Sequence, residues 1–103
     1  MRLIQSKGFR ADKAWGAENI VNLNGVTVRL HWTDTPYIWH VNEGAEVFAV
    51  MDGVVEMHYR LDGQEEIARL EAGDIFYAEV GDEHVAYPIG EARILVVENE
   101  GSV

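Results

Sequence analysis

The 103 residues allow one domain with one modest core and leave no room for a cofactor domain beside a catalytic one. Hydrophobic residues make up 48% of the chain, which excludes a disordered class. The 18 acidic residues outnumber the 8 basic ones, and the formal net charge of −10 disfavours nucleic acid and anionic membranes as partners.

There is no cysteine, so disulfides, thiolate nucleophiles and thiolate metal ligands are all excluded. This fits a reducing cytoplasm. Met1 to Arg10 lacks the apolar run of a signal peptide. No segment approaches the roughly 20 apolar residues that a membrane span needs. The expectation is a soluble, cytoplasmic, single domain over residues 1–103.

In chain order, Gly8–Asn19 has the weakest pattern and is read as an edge strand or one helical turn. Beyond it the chain is a series of short β-branched and aromatic segments cut by turns. Strands are predicted at Ile20–Leu23, Val26–Trp32, Tyr37–His40, Glu46–Met51 and Val54–Leu61. Further strands are predicted at Glu66–Leu70, Ile75–Ala78, His84–Tyr87 and Ala92–Glu98. Asn24-Gly25, Asp52-Gly53 and Asp62-Gly63 read as hairpin turns, because both residue types tolerate the positive φ that a type I′ turn requires. Ala72-Gly73-Asp74, Gly81-Asp82-Glu83 and Pro88-Ile89-Gly90 read as further turns. Many short strands with no long helical stretch predict an all-β sandwich or barrel.

Four residues carry the candidate chemistry. His40, Asn42 and Glu46 share parity, as do Phe48 and Val50, so a continuous strand sets them on one face. That face runs from polar donors to an apolar floor. His84 opens a later strand. Two imidazoles and a carboxylate suit a divalent Fe, Mn, Ni or Zn ion, with the Asn42 amide oxygen as a weaker donor. A His-x-Asn pair is common by chance, so spacing alone leaves a metal-free polar cluster open. Trp39 flanks His40, Phe48 shares its face and Tyr87 follows His84, and these three are the expected walls of a ligand pocket. His58 lies on the more polar face of its strand. His31 lies opposite the apolar row of Val26, Val28, Leu30 and Trp32, nearer the barrel mouth.

The segment His40-Val41-Asn42-Glu43-Gly44-Ala45-Glu46, with Gly53 seven residues on, resembles the first cupin motif. Gly73-Asp74 through Gly81-Asp82-Glu83-His84 resembles the second. Together they span Trp39 to Pro88, about half the chain. Asn42 stands where the family has its second motif histidine, Glu79 where it has proline, Pro88 where it has asparagine, and Asp34 where the first motif has its leading glycine. The resemblance implies a double-stranded β-helix, a jelly-roll-like antiparallel barrel. It implies metal ligands at His40, Glu46 and His84, with Asn42 in the place of the missing histidine. It also implies a small-molecule ligand in the barrel and a homodimer built on edge strands or N-terminal segments. The family includes dioxygenases, isomerases and decarboxylases, so the resemblance selects no reaction. A non-enzymatic binding or sensing module, metal-free or not, is the alternative.

Overall fold

The computed structural model describes residues 1–102. A single 3-10 turn at Ser6–Gly8 precedes seven strands. They are β1 (Gly16–Leu23), β2 (Val26–Thr33), β3 (His40–Val41), β4 (Glu46–Leu61), β5 (Gln64–Glu71), β6 (Ile75–Ala78) and β7 (Glu83–Asn99). All pairings are antiparallel, in the order β1-β2-β7-β4-β5, with β3 also on β7 and β6 also on β4. The architecture is all-β, as the alternating sequence predicts. No helix among the described residues is long and apolar enough to cross a membrane.

Strands β4 and β7 organise the barrel. Their register pairs Glu46–Val50 with Ile94–Glu98, then Val54–Tyr59 with His84–Ile89. Each long strand therefore supplies both ends of the molecule. Between the two runs the register shifts around Asp52. Inward residues on β4 change from even (Phe48, Val50) to odd (Val55, Met57) across that shift. These four pack with Leu70, Ala86, Ala92, Ile94 and Val96 as the core. Burying side chains the size of Val50, Met57 and Ile94 contributes about 1.5–3 kcal/mol each.

This bend corrects two expected turns. Asn24-Gly25 and Asp62-Gly63 do join β1 to β2 and β4 to β5, with positive φ at both residues of each pair. Asp52-Gly53, read as a hairpin turn, instead lies inside continuous β4. Gly53 has φ +84°, and a Cβ there would meet the Glu91 carbonyl oxygen at 2.4 Å. Glycine is needed where the two bent strands cross closely, and no chain reversal occurs. Pro88-Ile89-Gly90 is likewise a bend within β7, with Ile89 paired to Val54. The strand expected at Tyr37–His40 shrinks to His40–Val41, although the Tyr37 N–H still donates to the Ala86 carbonyl at 3.2 Å.

The segment before β1 covers the outer face of β2. The Arg10 guanidinium lies 5.2 Å over the Trp32 ring, and Arg93 Nε donates to the Phe9 carbonyl at 2.8 Å. Trp15 closes this segment in a left-handed backbone conformation, φ 63°, which is uncommon for a bulky side chain.

Candidate metal and ligand site

The four predicted donors meet at one end of the barrel. His40 opens β3 and sits directly across from His84 in the β3–β7 register, with ring centroids 4.4 Å apart. Asn42 follows β3. Its N–H donates to the Asp82 carbonyl at 2.9 Å and its carbonyl accepts from Gly81 N–H at 2.9 Å, which pins the loop before β7 against it. The buried Asn42 side chain then reaches His84, with Oδ1 2.8 Å from Nε2. Glu46 heads β4, and its Oε1 lies 3.7 Å from the same Nε2. Three separate elements thus converge on one imidazole.

The hydrogen bonds define what each ring offers. His40 Nδ1–H donates to the Ile38 carbonyl at 3.1 Å, which leaves Nε2 with a free lone pair. His84 Nε2–H donates to Asn42 Oδ1, and its buried Nδ1 has no partner. The buried Asn42 Nδ2 is also unpartnered. Unpaired buried polar atoms are costly, and both lie at the cavity-lining imidazoles.

Burial, then the neighbouring His40, pushes the His84 pKa down to about 4, against the opposing pull of Asp82. Its imidazole is neutral at pH 7 and able to ligate. Burial pushes the Glu46 carboxyl up to about 8, helped by its hydrogen bond to Glu98 and the charge of Glu98. Glu98 stands directly opposite Glu46 in the β4–β7 register and is itself buried. Arg29 Nη2 holds Glu98 Oε1 at 3.2 Å.

These groups line a cavity of about 230 Å³ with Trp15, Arg29, His31, Tyr37, His40, Glu46, Phe48, His84, Ala86 and Val96 in its wall. Of the three expected aromatic walls, Phe48 lines it. Trp39 and Tyr87 do not. Tyr87 is one residue out of phase with the lining Ala86 on β7, so it leaves by the other face. Trp39 lies in the irregular stretch before β3, where strict alternation does not hold. Trp39 lies under the Arg60 guanidinium at 4.2 Å, and Tyr87 packs on His58 at 4.3 Å between ring centroids. Trp15 and Tyr37 take the places assigned to them, 5.3 Å apart edge to face. His31 does face the cavity. Its Nδ1–H donates to the Trp15 carbonyl at 2.9 Å, and burial lowers its pKa. The sequence reading missed Arg29 and Glu98. Arg29 has the parity of His31, and Glu98 that of Ile94 and Val96, but alternation alone does not separate a charged cavity residue from a solvated one.

No family model matches the sequence, and no curated protein matches it. Solved structures do. A cupin-2 domain containing protein from Shewanella frigidimarina superposes with a TM-score of 0.77 at 25% identity, covering 87% of this chain and 85% of that one. This chain folds as a small cupin domain. A cupin superfamily protein from Desulfitobacterium hafniense gives 0.78 at 11% identity over 96% of this chain and 90% of that one. A hydroquinone 1,2-dioxygenase solved with Fe3+ gives 0.77 at 19% identity over 88% of this chain and 29% of that one.

Two imidazoles, a carboxylate and an amide oxygen are donor types that a divalent cation takes. Bonds of about 2.1 Å set neighbouring donors about 3.0–3.4 Å apart. The 2.8 Å and 3.7 Å separations around His84 Nε2 bracket that range. Among the described residues, no three His, Cys, Asp or Glu side chains stand close enough together to hold a metal ion.

Proposed function

We propose that this cupin binds a small molecule in its cavity and holds a divalent Fe, Mn, Ni or Zn ion on His40, Glu46 and His84. Asn42 would add an amide oxygen. The observation that carries the reading is the convergence of Asn42 Oδ1 and Glu46 Oε1 on the neutral His84 imidazole, with His40 edge to face beside it at the cavity wall. The iron in the dioxygenase of like fold supports metal use. The ion would supply Lewis acidity to a ligand oxygen. The chain's own residues fix the ligand set: Ile38 sets the His40 tautomer, and Gly81 and Asp82 clamp Asn42. The test is calorimetric titration of chelator-treated protein with Fe(II), Mn(II), Ni(II) and Zn(II). One equivalent of at least one ion should bind, and His84→Ala should abolish binding. No binding by any of the four removes the metal from the account.

A second reading, a metal-free binding module, is favoured by one specific contact. His84 Nε2, the atom nearest Glu46, already spends its hydrogen on Asn42. The same titration separates the two.

The cupin is further proposed to form a homodimer through the outer face of β4 and β6. Val47 and Ala49 there pair with the exposed Tyr77 and Ile75, and an apolar face of this kind favours a second copy. The cysteine-free composition supports a cytoplasmic setting.

A further inference from the structure

We propose that Arg29 anchors the carboxylate of a small organic acid inside the cavity. The inference rests on the cavity reading above and names the class of ligand.

Arg29 is the one Lys or Arg among the residues lining this space, in a chain where acidic residues outnumber basic ones 18 to 8. Its side chain is 36% exposed, so it is partly sunk into the wall and still reachable. Its sole hydrogen bond among the described residues runs from Nη2 to Glu98 Oε1 at 3.2 Å. Nη1 is left over, and the buried Nε has no partner. Glu98 thus holds the guanidinium in place with one contact and leaves most of its donor fork unused. A carboxylate matches such a fork in shape and charge.

The neighbouring groups agree with an acid. His31 sits two residues along β2 on the same face. Its Nδ1–H is committed to the Trp15 carbonyl, so Nε2 remains as an acceptor for a ligand hydroxyl. Trp15, Tyr37 and Phe48 offer flat apolar walls. A cavity of about 230 Å³ takes roughly eight water-sized groups, at about 30 Å³ each, and so suits an acid of about ten non-hydrogen atoms.

The test pairs benzoate, phenylacetate and mandelate with their primary amides. Binding is followed by calorimetry and by Trp fluorescence, once with EDTA and once with one equivalent of Mn(II). At least one acid should bind about tenfold or more tightly than its amide, in the EDTA arm as well as with Mn(II). The variant Arg29→Met/Glu98→Gln removes the pair together and so leaves no unpartnered carboxylate. It should lose the preference for acid over amide, and Arg29→Lys should keep part of it. Equal binding of acid and amide by wild type, or a preference that survives in the double variant, overturns the Arg29 assignment and leaves the cavity reading intact. Failure of all six compounds to bind overturns the assignment and the cavity reading together, whereas the metal titration stands or falls by itself.

Discussion

At the scale of single residues, Glu46 and His84 bind protons in opposite senses to their exposed counterparts. Glu46 keeps its proton up to about 8 in the fold, against an ordinary 4.5, so its contribution to stability is lost as pH rises from 4.5 through 8. His84 stays neutral down to about 4, against 6.5, so its contribution is lost as pH falls from 6.5 through 4. Between 4.5 and 6.5 the two slopes cancel. Chelator-treated protein should therefore show a plateau of Tm there for these two groups, with a decline above pH 6.5. Glu46→Gln removes the charge that must be buried. Its Tm should match wild type near pH 4, already exceed it at pH 5.5 and exceed it most at pH 9, read by thermal scans in EDTA. Equal Tm for the two proteins at pH 9 contradicts the raised Glu46 pKa.

Asn42 is where the chain departs from the first cupin motif, and its replacement tests what that departure does. Asn42→His exchanges a weak amide donor for an imidazole. It should bind Zn(II) at least about tenfold more tightly in competition with a chromogenic chelator. His40, Glu46 and His84 could be read from spacing and ligand chemistry. Arg29 and Glu98 could not, because a charged residue on a strand of mixed polarity reads equally as solvated surface. Only the β4–β7 register shows that Glu98 faces Glu46.

At the scale of elements, the two long strands are the lesson. Their bends at Gly53 and Gly90 carry the same Gly-rich signal as a hairpin, and composition does not distinguish a bend from a reversal. Of the two bends, Gly53 alone differs from a hairpin glycine in what it touches. At Gly63, with φ +79°, a Cβ meets nothing within 4 Å, whereas at Gly53 it collides with Glu91 and Ala92. Gly63→Ala should cost about 1 kcal/mol from φ alone, and Gly53→Ala roughly 2–3 kcal/mol or more because the clash adds to it. Urea unfolding of both variants measures this, and equal losses would contradict the close crossing of β4 and β7. The cavity walls follow the same logic. Tyr87 is close to His84 in sequence, but a strand sends adjacent side chains to opposite faces, and Trp39 precedes β3, where no alternation is set. Trp15 was beyond reach, since its position depends on how the segment before β1 folds back.

At the scale of the whole molecule, the barrel was legible because every level of the sequence agreed: alternation, turn residues and the two motif spacings. Assembly was not legible, as nothing in one strand records which outer face meets a second copy. If the β4–β6 face is the contact, the protein should sediment at twice the 11.6 kDa of one chain, and Tyr77→Arg should return it to the monomer. A wild-type monomer contradicts the assignment.

The central claim is that the polar end of the cavity is a metal site built on His40, Glu46 and His84. Anomalous diffraction from crystals grown with Zn(II), collected on both sides of the zinc edge, tests it most directly. The account predicts one strong anomalous peak bonded to the side chains of those three residues, absent from crystals of His84→Ala. Ordered crystals grown in Zn(II) with no peak at these side chains, and the His84–Asn42 hydrogen bond intact, would contradict it.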